Sequence, residues 1–404
     1  MNSDPRGMAK PAPRRVRSID VLRGLTMVLM LFVNDLFEPG VPAWLVHAGG
    51  MDDRMGLADV VFPAFLFMTG LSIPFAIAAR RSHGDTLAQI RRHVLIRSAS
   101  LLLIGVLTVN IEVFNPLLAG MGTYGWALLL YLCIFLIWND YPSTLHGRAW
   151  TRIGIALGWL GLLALVVIYR AGTPTQITWM HTSWWGILGL IGWGYATAAL
   201  AYLAIGDRLW PTGMLWLFFV VLNMFALGHA TDFLNPLRPF IGPLLNGNVP
   251  AMTLAGLFVG IMVHQGATQP LRVMRALIVF GVACVIAGFV LRHWFILSKI
   301  QATPSWALLC DGISVLAFAL LFYVVDYLGK ANWSRVFAYA GHHSLTLYLA
   351  PDIIYYALWM YWPGFFFYKQ NHAVWLAILG SLGWAMLMIG LVRMLSIIGI
   401  RLKI

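Results

Sequence analysis

The sequence RSIDVLRGLTMVLMLFVNDLFEPGVPAWLVHAGGMDDRMGLADVVFPAFLFMTGLSIPFA, residues Arg17–Ala76, decides the fold of this chain. Two apolar runs of about 20 residues, each long enough to cross a bilayer as a helix, flank a short polar loop. The loop carries one histidine, His47, among several carboxylates. Polar groups at a helix end are costly in lipid, so their concentration here favours chemistry or transport.

The composition of the whole chain excludes a water-soluble globular protein. Of its 404 residues, 60% are hydrophobic and only 10% are charged, against about 25% charged residues in soluble domains. The prediction is an all-α, polytopic transmembrane helix bundle. The net charge of +12 fits basic loops that set orientation and contact anionic lipid, so no nucleic-acid partner is expected. The three cysteines lie in apolar segments and indicate neither disulfides nor a metal site.

Hydrophobic runs predict 11 or 12 spanning helices. The eighth run is short and contains glycine, and Pro351 is expected to kink the eleventh. The predicted segments are 19–37, 57–79, 94–111, 120–138, 153–170, 184–204, 211–229, 249–265, 273–291, 305–328, 336–361 and 373–398. The predicted organisation is a disordered cytoplasmic tail over residues 1–16 and a single transmembrane domain over residues 17–404.

Lys and Arg residues divide unequally between the two sides of twelve alternating spans. If residue 1 is cytoplasmic, 21 of the 27 Lys and Arg residues fall on the cytoplasmic side. Basic residues concentrate in cytoplasmic loops, and a wrong number of spans would scramble the division. The sequence therefore predicts that both termini are cytoplasmic and that the His47 loop lies on the outer side.

Several short motifs match one known family of membrane enzymes. They are RSID (17–20) with RG (23–24), FVN (32–34), GLAD (56–59) with VFP (61–63), PSWAL (304–308) and AGHHSLT (340–346). On these motifs the chain resembles the transmembrane heparan-α-glucosaminide N-acetyltransferase family and its bacterial relatives of amino-sugar utilisation pathways. An acidic Asp-Pro-Glu-Gly element of the family has no evident counterpart in the middle of this chain.

The resemblance implies acyl transfer across a bacterial inner membrane. Acetyl-CoA would arrive from the cytosol as co-substrate, and an amino sugar or glycan would accept the acetyl group on the periplasmic side. The catalytic histidine of the family corresponds to His47 and its neighbouring asparagine to Asn34. Imidazole suits a general base at neutral pH, and a side-chain amide can donate a hydrogen bond to an oxyanion. Asp59 and Asp35 are the candidates for orienting the imidazole.

The resemblance also implies sites for both substrates. The polyphosphate of CoA needs cations, and the cofactor-binding candidates are Arg23, Arg80, Arg81, Arg92, Arg97 and His343. The candidates for substrate binding are Asp35, Asp311 and His229. No metal site is predicted. Direct transfer with His47 as base is the preferred mechanism, and a transient acetyl-histidine is the alternative.

Ordinary structural roles compete with each of these interpretations. His47 could cap a helix, Asn34 could satisfy backbone groups, and Asp59 near a helix start favours the macrodipole. Paired arginines at a helix end are typical determinants of topology. At the level of the whole protein, the alternatives are an amino-sugar transporter and an envelope-polysaccharide O-acyltransferase. The glycine-rich helices fit either packing within one subunit or a homodimer.

Overall fold

The computed structural model describes residues 16–141 and 149–404, and it confirms an all-helical bundle. Its helices are α1 (Arg17–Asp35), α2 (Leu57–Ser82), α3 (Leu87–Val109), α4 (Pro116–Ala119), α5 (Thr123–Trp138), α6 (Ala149–Ile168), α7 (Gly186–Ile205), α8 (Leu209–Leu227), α9 (Arg238–Asn246), α10 (Asn248–Gln265), α11 (Pro270–Leu291), α12 (Pro304–Leu321), α13 (Arg335–His342), α14 (Ser344–Tyr361) and α15 (Val374–Ile397). A π-helical turn, Phe322–Tyr327, continues α12. Strands β1 (Ala171–Thr173) and β2 (Gln176–Thr178) pair as an antiparallel hairpin. Except for Val16, the tail predicted over residues 1–16 lies outside the described residues.

Each of the twelve predicted segments contains a helix. Among the described residues, nine helices are long and apolar enough to cross a membrane, and α5 is shorter, with 16 residues. The eleventh segment is divided into α13 and α14, because the backbone at His343 leaves helical geometry with φ −109° and ψ 25°. The interruption therefore lies well before Pro351, which is inside α14.

Polar contacts between helix ends indicate which loops lie on the same face of the bundle. The His47 face contains residues 36–56 and 292–303, which are joined by an ion pair of 2.9 Å between Arg292 and Asp53. The opposite face contains the start of α1, where the Arg17 backbone N–H donates to the Asp326 carboxylate at 2.8 Å. If the twelve predicted segments cross the membrane in alternation, each of these two contacts joins segment ends that lie on the same side.

Glycines allow the central helices to approach closely. α10 is buried among α2, α7, α8 and α12. A Cβ at Gly256 would lie 1.9 Å from the carbonyl oxygen of Phe67, and one at Gly260 would lie 2.6 Å from that of Leu71. The glycine pair spaced by four residues is therefore used for packing within this subunit.

We expect Gly24→Ala to destabilise the bundle, because a Cβ there would lie 1.6 Å from the carbonyl oxygen of Phe337 in α13. Overpacking of this kind costs about 1–3 kcal/mol. Gly383→Ala in α15 is the matched control, since a Cβ there would have no neighbour within 4 Å in the part of the chain that the structure describes. Thermal unfolding in detergent should show a lower Tm for the Gly24 variant only. Equal Tm values would show that α1 and α13 do not pack this closely.

Candidate functional site

The loop between α1 and α2 is folded around the carboxylate of Asp59. This residue is the third of α2 and is 1% exposed. Its Oδ1 lies 2.6 Å from Nδ1 of His47, and its Oδ2 accepts the backbone N–H groups of Ala48 and Gly56, each at 3.0 Å. One buried carboxylate thus caps the helix and holds the histidine.

The pairing with Asp59 determines which nitrogen of His47 is available for chemistry. A carboxylate accepts hydrogen bonds, so the proton of the neutral imidazole belongs on Nδ1. Nε2 then carries the free lone pair. The His47 side chain is 38% exposed, so Nε2 can be reached from outside the protein. The pair has the arrangement of a general base oriented by a carboxylate.

Lys299 is the third ionisable residue of the site. Its Nζ lies 3.3 Å from both Nδ1 and Nε2 of His47. An ammonium equidistant from the two nitrogens must lie over the face of the ring, because an in-plane position would collide with a ring carbon. No carboxylate lies within 4 Å of Lys299 among the described residues. Burial lowers the pKa of Lys299, while the charges of Asp59, Cys310 and Glu38 act in the opposite direction.

The loop that carries Lys299 is fixed to the His47 loop by several polar contacts. The carboxylate of Asp53 accepts from Arg292 at 2.9 Å and from the backbone N–H of Leu297 at 2.8 Å. The carbonyl oxygen of Gly50 accepts from Ser298 Oγ, also at 2.9 Å. The backbone hydrogen bond from Leu297 and the charge of Arg292 lower the pKa of Asp53 against a desolvation penalty. The lysine is therefore held in position before any substrate binds.

The start of α12 supports the first turn of α2. Trp306 Nε1 donates to the carbonyl oxygen of Asp59 at 3.1 Å, and Cys310 Sγ lies 3.8 Å from the same oxygen. Both side chains are buried. Trp306 of the PSWAL motif and Cys310 therefore position the catalytic candidate Asp59 through its backbone.

A cavity of ≈ 360 Å³ enters the bundle from the opposite face. Its mouth is lined by cationic or titratable side chains from several elements. These are Arg23 of α1, Arg80 of α2, His93 and Arg97 of α3, His342 of α13, and Lys403. The deeper wall is mainly apolar. Such a lining suits a long ligand with an anionic head and an uncharged arm.

The deep end of this cavity approaches the His47 site along α2. Lining residues on α2 run from Arg80 to Phe65, which corresponds to about 22 Å at 1.5 Å per residue. Phe65 is then only about 9 Å along the helix from Asp59 by the same rise. Met30 and Tyr348 complete the inner wall.

Asn34 lies on the face of α1 that lines the cavity. Arg23, Met27 and Met30, at positions i, i+4 and i+7, contribute to the lining. Asn34 is one turn beyond Met30, at i+11, on the same face of the helix. Its side chain is exposed and has no hydrogen-bond partner among the described residues. The amide is therefore located between the cavity and the His47 face, although no direct contact joins it to His47.

Three of the six cofactor-binding candidates do not line the cavity. Arg81 is exposed, and Arg92 lies on the outer surface of α3 with Leu95 and Ile96. His343, at the break between α13 and α14, packs against Tyr339 with ring centroids 4.6 Å apart and an interplanar angle of 38°. The neighbouring residue His342 occupies the cavity wall instead.

The candidates for substrate binding are not gathered around His47. Asp35 is buried, forms an ion pair of 3.0 Å with Lys369 and accepts from the hydroxyls of Tyr355 and Tyr368. Its carboxylate is therefore already occupied by protein, and of the two candidates for orienting His47 only Asp59 contacts it.

The other two substrate-binding candidates lie on α12 and on the connection after α8. His229 is exposed on the connection after α8, where its Nδ1 lies 3.1 Å from Asp232. Asp311 is buried within α12, and neither of its carboxylate oxygens has a hydrogen-bond partner among the described residues. Neither residue contacts His47 in the described parts of the chain.

The sequence did not point to Lys299 or His93 as site residues, whereas His342, together with His343, was a candidate contact of CoA. A signal for Lys299 existed, since it is one of only six basic residues predicted on the outer side. Nothing in the sequence indicated its proximity to His47, from which it is separated by more than two hundred residues. His93 and His342 lie on predicted cytoplasmic ends, and only the packing of α3 and α13 brings them to one cavity.

Comparison with known proteins agrees with the resemblance over part of the chain. No protein-family model matches the chain. The chain is 34% identical over 98 residues to heparan-alpha-glucosaminide N-acetyltransferase of Homo sapiens, which is 24% of this chain and 14% of the human protein. It is 33% identical over 101 residues to the Mus musculus protein of the same name, which is 25% of this chain and 15% of the mouse protein. The matched part thus spans about one seventh of each relative. Over that part, the predicted similarity to this transmembrane acetyltransferase is confirmed.

Proposed function

We propose that this protein is a transmembrane acyltransferase that moves an acetyl group from acetyl-CoA to an amino sugar or glycan on the other side of the membrane. The observation that carries the proposal is the pairing of two features. A carboxylate-oriented imidazole is exposed on the His47 face, and a cavity with a cationic mouth approaches it from the opposite face. The similarity to heparan-alpha-glucosaminide N-acetyltransferase supports the reaction class.

In the proposed reaction His47 acts as general base. The acceptor amine attacks the carbonyl carbon of the thioester while Nε2 removes its proton. The carbonyl electron pair moves to oxygen, and the resulting oxyanion accepts a hydrogen bond from the Asn34 amide. The carbonyl then re-forms, the C–S bond breaks, and the imidazolium of His47 gives its proton to the departing sulfur, so that CoA leaves as the thiol and the base is regenerated. Asp59 stabilises the imidazolium and keeps Nε2 directed at the acceptor.

The cavity is proposed to hold the donor. Arg23, Arg80 and Arg97 at its mouth suit the phosphates of CoA, because guanidinium groups bind phosphate by paired hydrogen bonds. The apolar wall along α2 suits the pantetheine arm. Arg23 Nη2 donates to Ser72 at 2.7 Å, which directs the guanidinium towards α2 and the cavity. The acetyl group would then lie at the end near Phe65.

The proposed orientation follows the distribution of basic residues. If the predicted segments cross the membrane in alternation, most Lys and Arg residues fall on the side opposite His47, which favours the cytosol for that side and a cytosolic source of acetyl-CoA. The His47 face would then be periplasmic in a bacterial inner membrane. Short loops and the resemblance to bacterial relatives support this location.

Transfer of labelled acetyl is the direct test of the function. Purified protein in liposomes is given acetyl-CoA with a carbon-13 acetyl group on one side and glucosamine on the other. Mass spectrometry then measures N-acetyl and O-acetyl product. N-acetylated sugar is the expected product, and O-acetylated sugar would indicate an O-acyltransferase. Sugar that crosses unmodified, without CoA binding, would indicate a transporter and contradict the proposal.

Whether the acetyl group passes directly to the acceptor or first to His47 can be tested separately. Rapid quenching after mixing the protein with radioactive acetyl-CoA, in the absence of acceptor, measures label on the protein. Direct transfer within a ternary complex predicts no stable label. Label retained on His47 would instead establish an acetyl-histidine intermediate.

We expect Arg97→Gln to raise the KM for acetyl-CoA with little change in kcat. Hydrogen bonds to charged groups contribute about 1.5–3 kcal/mol, which corresponds to an increase of roughly 10- to 150-fold. Arg92→Gln is the matched control, because Arg92 is on the same helix but outside the cavity. Steady-state kinetics of both variants measures the KM for acetyl-CoA. Equal KM values for the two variants would show that CoA binds elsewhere.

A further inference from the structure

We propose that Lys299 is a second catalytic residue, whose ammonium stabilises the oxyanion of the tetrahedral intermediate formed at His47. The inference deepens the proposed function and rests on it. Its basis is the position of Lys299 Nζ, 3.3 Å from both nitrogens of the imidazole, on a loop far from His47 in the sequence.

The position of the ammonium leaves the base free to act. Nδ1 is occupied by Asp59, and Nζ lies over the face of the ring. It therefore does not lie along the in-plane lone pair of Nε2. An acceptor can thus hydrogen bond to Nε2 while the ammonium remains alongside. Any carbonyl carbon attacked by that acceptor lies within reach of Nζ.

The ammonium of Lys299 also has N–H donors available for a further hydrogen bond. An ammonium group has three N–H donors, and a ring face can use none of them fully. Among the described residues Lys299 has no carboxylate partner within 4 Å. A half-buried cation without a carboxylate is expected to bind an anion that forms during the reaction.

The charges of the site balance better in the transition state with Lys299 than without it. At rest the site contains one carboxylate, one ammonium and a neutral imidazole. When the base takes the proton of the acceptor, the imidazolium is paired with Asp59 and the oxyanion with Lys299. Asn34 is neutral and contributes a dipole only. Without the lysine, the oxyanion would have no opposite charge beside it.

Contacts around Lys299 fix its geometry. Ser298 and Gln301 on either side both donate to the carbonyl oxygen of Gly50, each at 2.9 Å. The charged or titratable groups that face the ammonium are His47, Asp59, Cys310 and Glu38. A donor held in place before the reaction avoids reorganisation at the moment when charge develops.

Chemical restoration of the ammonium is the decisive experiment. Lys299→Cys is expected to lower kcat by roughly 10²- to 10³-fold, the usual effect of removing one oxyanion donor. Treatment with 2-bromoethylamine converts the cysteine to a lysine analogue and should restore most of kcat. Iodoacetamide, which adds no charge, should not. The three native cysteines are buried. Both products come from one folded preparation, so a folding defect cannot explain a difference between them.

The alternative roles of Lys299 predict different kinetics. If the lysine binds an anionic group of the acceptor in the ground state, the cysteine variant raises KM for acceptor and leaves kcat unchanged. If the lysine is itself the base, Lys299→Arg is as inactive as Lys299→Gln. Either result overturns the proposal. Stabilisation of the oxyanion predicts that arginine retains much of the activity that glutamine loses.

The pH profile of Lys299→Arg gives an independent readout. The oxyanion is stabilised only by the protonated amine, so activity should fall as pH rises through the pKa of Lys299, which burial lowers. Arginine stays protonated to higher pH, so the alkaline limb should move upward in that variant. An unchanged limb would contradict the proposal.

Controls separate this inference from the proposed function. Arg54→Gln removes another cation of the His47 face that contacts Asp52 and not His47, and it should leave kcat unchanged. CoA binding should also be unchanged in the Lys299 variants, because the cavity mouth is on the opposite face. If the unmodified protein transfers acetyl and Lys299→Cys is equally fast, only the role of Lys299 fails. If the unmodified protein transfers none, the proposed function fails with it.

Discussion

His47→Gln is expected to lower kcat for acetyl transfer by about 10³- to 10⁴-fold while acetyl-CoA binding is retained. A positioned general base contributes about 10²- to 10⁴-fold, and glutamine cannot accept a proton. The loss is expected near the upper end because Nε2 is the free nitrogen of an imidazole fixed by Asp59 at 2.6 Å. The measurements are steady-state transfer and calorimetric binding of CoA.

His293→Gln provides the control for this substitution. His293 is another exposed histidine of the His47 face and is not in contact with Asp59. Its variant should keep full activity. A His47 variant that transfers acetyl at the normal rate would refute the assignment of the base. Loss of CoA binding together with activity would instead point to a folding defect and call for the conservative variant His47→Asn.

Asp59→Asn is expected to reduce kcat to a similar extent, on the order of 10³- to 10⁴-fold, with a modest loss of stability. An asparagine can direct its N–H₂ group at Nδ1, which would force the imidazole proton onto Nε2. The base would then be in the wrong tautomer. The backbone N–H groups of Ala48 and Gly56 can still donate to the remaining oxygen, so α2 should keep its start.

Nitrogen NMR of protein labelled in histidine distinguishes a tautomeric effect from a structural one. The chemical shifts of His47 report which nitrogen carries the proton, and we expect the assignment to be exchanged in the variant. Asp52→Asn is the control, since Asp52 pairs with Arg54 at 3.2 Å on the same loop and not with His47. Unchanged shifts with lost activity would show that Asp59 acts in another way.

The helices could be predicted because hydropathy is a local property of the sequence. A run of apolar residues has to become a helix in lipid, where no water satisfies the backbone, and all twelve predicted runs contain one. The division of the eleventh run was not predicted. Pro351 was the local signal, whereas the backbone breaks at His343, where packing of Gly341 against Asp20 and Gly24 of α1 fixes the end of α13.

In the candidate site, too, contacts between residues near in sequence could be predicted and contacts between distant residues could not. His47 on the loop and Asp59 in the first turn of α2 are close in sequence, so their pairing could be anticipated, although Asp35 was an equal candidate. Asp35 is excluded as the partner of His47 by Lys369, Tyr355 and Tyr368, all more than three hundred residues away. Of the cofactor-binding candidates, Arg23, Arg80 and Arg97 line one cavity, and Arg81, Arg92 and His343 do not.

Composition and local pattern along the chain were sufficient to predict the class of protein, the positions of the helical runs and the polar first loop. Each depends on composition or on residues near one another along the chain. Only the tertiary structure decided which cations face one cavity, which carboxylate holds the imidazole and that Lys299 lies over its ring. These depend on contacts between helices distant in sequence, where side-chain direction and close glycine packing, rather than local pattern, determine the neighbours.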